Sequence, residues 1–405
     1  MRVATLLVGS AACGAALARH FPDRVPPNEH IAALLAGLAL FLLLFLAPKA
    51  NTNASKHKWS HSGNDKQDFL AVFDQIANEI VDDTQQMQPT LPAKVAAYVR
   101  RMVQYNVPKG KLTRGLTVVD TVRAIKGPRC TDSDLWLAAA LGWGVEFLQA
   151  YFLVADDIMD ASETRRGQPC WYKLPDVQLN AINDGIILES HIYVILKRHF
   201  GSHPQYAQLL DLFHETTHQT ALGQYLDLAT ADPEKVDFGR FSMDTFSNIV
   251  IFKTAFYTFY LPVALGMRLA NVTNPKVYEQ AREICLGLGH YFQVQDDYLD
   301  CYGDPAVIGK KGTDIYDNKC SWLINTALPL CSDKQRTVLE KNYARHDPVC
   351  EARVKAVYDE LNLRDKYHAY EDATHTKLSN LIAQVDGMPR TIFTNLLAKL
   401  YKRQK

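Results

Sequence analysis

The stretch QAYFLVADDIMD, residues 149–160, places three aspartates in otherwise apolar surroundings. If the stretch is helical, Asp156 and Asp160 lie about one turn apart on one face, with Asp157 beside them. Carboxylates in apolar surroundings repel one another and resist burial unless a cation compensates them. The stretch therefore predicts an inward-facing helix with a cation site, in preference to a solvated acidic surface.

A second cluster of the same form lies 140 residues further along the chain, in YFQVQDDYLDCYGD at residues 291–304. Its carboxylates belong to Asp296, Asp297 and Asp300. Two such clusters facing one cavity suit Mg2+, which prefers oxygen ligands and bridges to substrate phosphates. The sequence thus predicts a magnesium-dependent enzyme that acts on a diphosphate.

Cations that could neutralise such a substrate flank both clusters. They are Lys111, Arg114, Arg165, Arg166, Lys253, Lys310 and Lys319. Each of them taken alone fits an ordinary surface charge. Together they match the charge that two diphosphates require, because arginine binds phosphate in a bidentate way and lysine acts as a point charge.

Long amphipathic segments make up the chain from residue 68 to residue 405. In the first of them Phe69, Phe73, Ile76 and Ile80 recur at helical spacing, and short Gly, Pro and Asp breaks separate the later segments. The two-residue alternation typical of strands is not sustained anywhere. We predict one all-α domain over residues 68–405, a helical bundle around a deep central cavity.

The amino-terminal segment, residues 1–50, differs from the rest. Residues 31–47 contain no polar or charged side chain, and their length just suffices to span a bilayer, so we predict a hydrophobic helix that anchors the chain in a membrane. Residues 3–18 form a second apolar stretch that fits a secretory signal peptide or a mitochondrial presequence. Residues 51–67 are polar and predict a linker.

Lys49, Lys56 and Lys58 follow the predicted anchor in the sequence. By the positive-inside rule they place the helical domain in the cytosol or the matrix. The predicted location is therefore a membrane with the catalytic domain facing the cytosol, or a mitochondrion after import. Removal of the segment would leave a soluble cytoplasmic protein.

Overall composition excludes two classes of function. Lysine and arginine total 44, as do aspartate and glutamate, so no global field indicates a nucleic-acid partner. The eight cysteines show no paired spacing of the kind that marks zinc or redox sites, and we predict free thiols. Strong electrostatics must therefore be local to the aspartate clusters.

Six motifs occur in order along the helical domain. They are RGLTVVD (114–120), FLVADDIMD (152–160), TRRGQPCWY (164–172), KTAFYTFYLP (253–262), FQVQDDYLD (292–300) and GTDIYDNKCSWL (312–323). In this set the chain from residue 68 onward resembles the eukaryotic farnesyl diphosphate synthases, which are prenyltransferases with the isoprenoid-synthase helical fold. The resemblance implies head-to-tail condensation of isopentenyl diphosphate with dimethylallyl and geranyl diphosphate by a homodimer.

The resemblance also implies roles for individual residues. Three Mg2+ ions per site would be held by the six aspartates of the two clusters. The allylic diphosphate would be bound by Arg165, Lys253, Lys310, Gln224 and Asp227, with Asp314 at a matching position. Catalytic roles would fall to Lys253, Thr254, Tyr257, Gln293 and Lys310, and isopentenyl diphosphate would be bound by Lys111, Arg114, Arg166 and Gln149.

One departure from the family pattern lies in the loop before Arg114. Where the family usually has Gly-Gly-Lys, this chain has Lys109, Gly110 and Lys111. The loop loses one flexible glycine and gains a positive charge. We expect its closure over isopentenyl diphosphate to differ.

Product length depends on Tyr151 and Phe152, which precede Asp156 by about one helical turn. Two aromatic rings there would close the floor of the cavity and favour a fifteen-carbon product.

The alternatives are a geranyl or geranylgeranyl diphosphate synthase, or a non-catalytic, membrane-tethered partner of another prenyl synthase. A terpene cyclase is disfavoured, because its second metal motif normally mixes Asn or Asp with Ser or Thr and Glu.

Overall fold

Helices account for most of the chain that the computed structural model describes, namely residues 57–87, 90–232, 235–304 and 312–402. The amino-terminal segment 1–50, with the predicted anchor at 31–47, lies outside these ranges. Lys310 also lies outside them. The α-helices are α1 (Asp65–Met87), α2 (Ala93–Asn106), α3 (Thr113–Lys126), α4 (Asp132–Met159), α5 (Ala181–Phe200), α6 (Tyr206–Thr230), α7 (Met243–Val250), α8 (Leu261–Leu269), α9 (Pro275–Tyr302), α10 (Trp322–Ala327), α11 (Asp333–Asn342), α12 (Pro348–Glu360), α13 (Leu363–Ala383) and α14 (Thr391–Leu400). The predicted all-α class is confirmed.

A short hairpin between α4 and α5 is the one sheet within the described residues. Its strands β1 (Thr164–Arg165) and β2 (Gln168–Pro169) pair antiparallel, with Arg165 opposite Gln168. Arg166 and Gly167 form the turn, and both have positive φ. The turn makes the two consecutive arginines point away from each other along a tight bend.

Helix α4 runs through the centre of the bundle and carries the first aspartate motif at its end. It begins with a capping box, in which Thr131 accepts a hydrogen bond from the Asp134 N–H and Asp134 accepts one from the Thr131 N–H. Most of its side chains from Leu135 to Val154 are buried, and α3 and α5 pack on either side of it. A helix that is apolar on all faces is stable only when other helices cover it, because any exposed face would place apolar side chains in water.

A π-helical segment, Ile251–Tyr260, joins α7 to α8 without a break. It packs against α6 and α9. π-helical turns are rare and occur mostly at functional sites. This segment carries Lys253, Thr254 and Tyr257, all of which the sequence singles out.

Residues 57–64, within the predicted linker, pack onto the helical domain. Trp59 is buried, and the His57 ring stacks on Trp136 with centroids 4.0 Å apart. His57 contacts Glu79 at 3.1 Å, whereas His61 contacts Asp132 at 2.6 Å. The structure therefore differs from an extended linker here, because one apolar side chain and several polar ones find partners on the bundle.

Two described helical stretches, α4 and the continuous helix Met243–Leu269, are long and apolar enough to cross a membrane. Most of each is buried among neighbouring helices. Core helices of a bundle share this composition.

The cysteines of the described ranges are free thiols, in agreement with the prediction.

Candidate active site

The first aspartate motif sits at the carboxyl end of α4 and faces an arginine from β1. Nε and Nη2 of Arg165 donate to Oδ1 of Asp157 at 2.9 and 2.5 Å, and Nη2 also reaches Asp156 at 3.3 Å. Burial alone would lower the pKa of Arg165, but its hydrogen bonds and proximity to the two carboxylates raise it. The tight turn of the hairpin thus delivers a permanent positive charge to the motif.

Two lysines approach the same motif from the other side of the cavity, and Asp227 on α6 holds both. Lys253 Nζ lies 2.6 Å from Asp227 and 3.3 Å from Asp156. Lys319 Nζ lies 3.0 Å from Asp227 and 3.5 Å from Asp160. Burial would raise the pKa of Asp227, yet the two ammonium groups hold it at about 2.

Lys319 is a residue to which sequence reasoning gave no specific role. It appears among the flanking cations, within GTDIYDNKCSWL, but nothing in the sequence pairs it with Asp227. Burial acts to lower its pKa, and Asp227 and Asp160 raise it instead. The lysine is therefore a fixed charge of the site, comparable to Lys253.

The second aspartate motif, at the end of α9, accepts hydrogen bonds from backbone and amide N–H groups. Asp297 is 4% exposed and accepts from the Trp322 N–H at 2.7 Å and from Gln293 Nε2 at 2.9 Å. Burial raises the pKa of Asp297 to about 8 despite these bonds. Asp300 accepts from the N–H groups of Thr313 and Asp314 at 3.3 and 3.0 Å.

The π-helical segment connects the two motifs. Lys253 contacts the first motif, and the next residue, Thr254, donates to Gln293 Oε1 at 3.3 Å. Gln293 in turn donates to Asp297. Consecutive residues of the π-helical segment therefore link the two motifs, Lys253 directly and Thr254 through Gln293.

The donor set of the first motif fits a magnesium ion. Within the ranges described, no three His, Cys, Asp or Glu side chains converge as a metal site of their own. However, Oδ1 of Asp156 is buried and makes no hydrogen bond, although Lys253 lies 3.3 Å away. Mg2+ is usually bound by one or two carboxylates together with waters and substrate phosphates, so a complete protein cage is not required.

Arg114 and Arg166 form a second cationic pair, whose hydrogen-bond partners are neutral oxygens. Arg114 donates to the Thr258 hydroxyl at 2.9 Å and to the Tyr257 hydroxyl at 3.1 Å, with its guanidinium 4.7 Å from the Tyr257 ring centroid. Arg166 has φ 55° and donates to the Asn106 carbonyl at 3.3 Å. Neither guanidinium forms an ion pair with a carboxylate of the described chain.

The unusual loop before Arg114 is held on both sides. Lys109 donates to Gln168 of β2 and lies 4.4 Å from the Tyr105 ring centroid, while Lys66 donates to the Gly110 carbonyl at 2.9 Å. Burial and the neighbouring Arg166 lower the pKa of Lys109. Gly110 has φ 102°, and a Cβ there would meet the Arg166 guanidinium at 3.1 Å.

The remaining predicted residues lie on α4, on α6 and in the loop before α3. Gln149 and Gln224 are 6% and 8% exposed, and each has a buried amide atom without a hydrogen-bond partner. Tyr151 and Phe152 lie side by side with ring centroids 4.8 Å apart, and Phe152 is 6.0 Å from Tyr257. Lys111 is exposed on the loop.

A model of the family described as polyprenyl synthetase matches residues 96–361. The farnesyl pyrophosphate synthase of Schizosaccharomyces pombe is 50% identical over 343 residues, which cover 84% of this chain and 99% of that protein. That of Saccharomyces cerevisiae is 48% identical over 343 residues, covering 83% of this chain and 97% of that protein. The Trypanosoma brucei farnesyl diphosphate synthase complexed with risedronate superposes with a TM-score of 0.76 at 35% identity, covering 84% of this chain and all of that one.

Proposed function

The chain belongs to the polyprenyl synthetase family, and from that premise we propose that it is a prenyltransferase that makes farnesyl diphosphate. It adds isopentenyl diphosphate head to tail, first to dimethylallyl diphosphate and then to geranyl diphosphate. The observation that carries the proposal is the arrangement of two separate cationic groups around one cavity. Arg165, Lys253 and Lys319 contact the first aspartate motif, whereas Arg114 and Arg166 donate to hydroxyl and carbonyl oxygens.

The first cationic group binds the allylic diphosphate. Bond cleavage transfers negative charge to the departing diphosphate, so fixed positive charges that face it stabilise the transition state. Asp227 keeps Lys253 and Lys319 directed at the motif, which reduces the reorganisation needed on binding. Mg2+ held by the two aspartate motifs would act as a Lewis acid at the same diphosphate.

The second cationic group binds isopentenyl diphosphate. A guanidinium matches phosphate oxygens in a bidentate geometry, and Arg114 is fixed in orientation by Thr258 and Tyr257. Holding the second substrate's double bond against the allylic cation supplies much of the rate. The departing diphosphate takes the final proton, so the site needs no side-chain base.

Hydroxyl and amide dipoles near the π-helical segment stabilise the allylic cation. Thr254 and Gln293 form one hydrogen-bonded unit, and the Tyr257 hydroxyl lies beside Arg114. Gln224, one turn before Asp227 on α6, has a buried amide nitrogen without a partner. An unpaired polar group of this kind is costly in a folded protein unless a ligand completes it.

Tyr151 and Phe152 limit the product to fifteen carbons. Their adjacent rings form a wall below the first motif, and Tyr151 packs so closely on α5 that a Cβ at Gly185 would be 3.3 Å from its ring. A longer chain must displace these rings. The double substitution Tyr151→Ala and Phe152→Ala therefore opens space for products longer than C15.

Chromatography of the products tests this proposal. The purified full chain is incubated with Mg2+, isopentenyl diphosphate and either dimethylallyl or geranyl diphosphate, beside the double variant and a Tyr98→Ala control. We expect C15 from the wild type and the control, and longer products from the double variant. A C10 or C20 product from the wild type would indicate one of the related synthases, and no product would indicate the non-catalytic partner.

An exposed apolar stripe supports a homodimer. Ile182 and Ile186, one turn apart on α5, are 56% and 57% exposed, and Tyr225 of α6 is 71% exposed. Apolar side chains grouped in this way are typical of a protein interface. Light scattering of the purified chain should give the mass of two copies, and the mass of one copy would refute the dimer.

The membrane anchor at residues 31–47 is proposed from sequence alone. Its uniform apolar character and the lysines that follow it support a membrane location with the enzyme on the cytosolic or matrix side. Imaging of the full-length chain beside a chain without residues 1–50 tests the anchor. Identical distributions of the two would contradict it.

A further inference from the structure

Glu146 is a buried charge that the mechanism above does not use. It lies in the middle of α4, between the fully buried Val145 and Phe147, and is only 3% exposed. A buried glutamate is costly unless hydrogen bonds and nearby charges compensate it. Its partners therefore indicate what the residue does.

The direct contact of Glu146 is with the start of α3. Its Oε1 accepts a hydrogen bond from the Gly115 N–H at 2.9 Å. Gly115 is the third residue of α3, where a backbone N–H has no partner within its own helix. The residue before the helix, Leu112, supplies no side-chain cap. Glu146 thus caps α3 from a neighbouring helix, and its negative charge suits a helix amino terminus.

The contact exists because α3 and α4 cross at two glycines. A Cβ at Gly115 would lie 2.5 Å from Phe69 and 2.9 Å from the Gly142 carbonyl oxygen, and one at Gly142 would lie 2.5 Å from the Gly115 carbonyl oxygen. The absence of side chains at both positions brings the backbones together. The carboxyl group of Glu146, one turn further along α4, can then reach the amino terminus of α3.

The cap is adjacent to the residues that bind the second substrate. Arg114 directly precedes Gly115, and Gln149 lies one turn after Glu146 on the same face of α4. Burial raises the pKa of Glu146, whereas the Gly115 N–H, Arg114 and Arg166 lower it. The pKa of Arg166 is lowered by burial and by the charges of Arg114 and Arg165. Glu146 acts in the opposite direction and raises it. Glu146 therefore lies near an arginine pair that forms no ion pair of its own in the described chain, and its one hydrogen bond is to the residue after Arg114.

We infer that Glu146 is a positioning residue for isopentenyl diphosphate, because it caps α3 at Gly115 and compensates the mutual repulsion of Arg114 and Arg166. Through the cap it fixes the start of α3, and with it the backbone of Arg114, before the substrate arrives. It also moderates the attraction of the two guanidinium groups for the diphosphate, since it places a negative charge behind them. This inference rests on the proposed function, which assigns the arginine pair to isopentenyl diphosphate.

The variant Glu146→Gln tests the inference, because its amide oxygen still accepts from Gly115 while the charge is lost. Removing a negative charge near two cations strengthens their attraction for an anion, so KM for isopentenyl diphosphate should fall about three- to tenfold. kcat should fall by roughly tenfold, because uncompensated repulsion between Arg114 and Arg166 shifts the bound substrate from its reactive position. KM for geranyl diphosphate should stay within about twofold, since that substrate lies at the other cationic group.

Glu371→Gln is the matched control. Glu371 is also a buried glutamate, 4% exposed, but it accepts from Tyr291 and Tyr367 on the far side of α9. Its substitution should leave KM for isopentenyl diphosphate unchanged. A purely structural role of Glu146 would lower the thermal midpoint and leave both KM values alone, and that result would overturn the inference.

Calorimetric binding of isopentenyl diphosphate separates failure of this inference from failure of the proposed function. If the wild type neither binds isopentenyl diphosphate nor forms product, the proposed function is wrong and the inference falls with it. If the wild type binds and turns over, and Glu146→Gln binds isopentenyl diphosphate equally well or more weakly, the inference alone is wrong. Tighter binding by the variant, with slower turnover, supports it.

Discussion

The two aspartate motifs have the same DDxxD pattern, but the described residues contact them in different ways. The first, Asp156 to Asp160, faces Arg165, Lys253 and Lys319 at 2.5 to 3.5 Å. The second, Asp296 to Asp300, faces backbone N–H groups of residues 313, 314 and 322 and the amide of Gln293. Side-chain cations contact the first motif, and backbone and amide N–H groups donate hydrogen bonds to the second.

This difference separates two tasks. Cations around the first motif add to the charge that a diphosphate would meet, so we propose that this motif governs binding and ionisation of the allylic substrate. Hydrogen bonds around the second motif tie α9 to the residues after it, up to the start of α10. The carboxylates of the second motif therefore hold residues 313, 314 and 322 against the end of α9. They also offer oxygen ligands to a metal.

The largest expected effect is on turnover, and it contrasts one aspartate from each motif. Asp156→Asn should lower kcat/KM by about 10²- to 10³-fold, comparable to the loss of a principal electrostatic group. Asp300→Asn should lower it by about tenfold, because the amide oxygen still accepts from Thr313 or Asp314. Steady-state kinetics with geranyl diphosphate measure both.

Asp82→Asn, an exposed substitution on α1, serves as the control for these two variants and should be silent. Equal losses for Asp156→Asn and Asp300→Asn would contradict the proposed division of tasks. A larger loss for Asp300→Asn would reverse it.

An intermediate effect concerns the pH dependence of stability. The pKa of Asp297 is about 8 in the folded protein against an ordinary value of 3.8. Between these values the folded chain keeps a proton that the unfolded chain has lost, so the free energy of unfolding falls as pH rises, by at most about 1.4 kcal/mol per pH unit. Asp297→Asn removes this dependence.

Chemical denaturation from about pH 5 to pH 8 in the presence of a chelator measures this contribution, taken as the difference between wild type and Asp297→Asn. The wild-type free energy of unfolding should fall more steeply than that of the variant. Mg2+ competes with the proton for the carboxylate, so added Mg2+ should flatten the wild-type profile. Parallel profiles for both proteins would show that Asp297 is ionised throughout.

The smallest effect concerns the connection between the motifs. Thr254→Val keeps the side-chain shape but removes the 3.3 Å hydrogen bond to Gln293. A neutral hydrogen bond contributes about 1 kcal/mol, so kcat/KM should fall roughly fivefold. Thr121→Val, a buried threonine that bonds only within α3, is the matched control for the kinetic assay. No change in Thr254→Val would mean that the two motifs act independently.

Much of the fold and part of the site could be predicted from sequence. Helical periodicity from Phe69 onward indicated the all-α bundle, and the spacing of Asp156 and Asp160 indicated which face of α4 points inward. The sequence could not show that His57 and Trp59 pack on the bundle, because nothing local pairs them with Glu79 and Trp136. Periodicity reports which face of a segment is buried, not what covers it.

The sequence by itself determined the chemistry of this protein: two clusters of oxygen ligands, the cations that flank them and the helices that carry them. These follow from residue type and spacing within one or two turns. Only the tertiary structure decided that Asp227 holds Lys253 and Lys319, that Glu146 caps α3 at Gly115, and that Asp297 is buried and hydrogen-bonded to Trp322 and Gln293. These contacts join residues far apart in the chain, and the electrostatic state of a carboxylate depends on what surrounds it in space rather than on its neighbours in sequence.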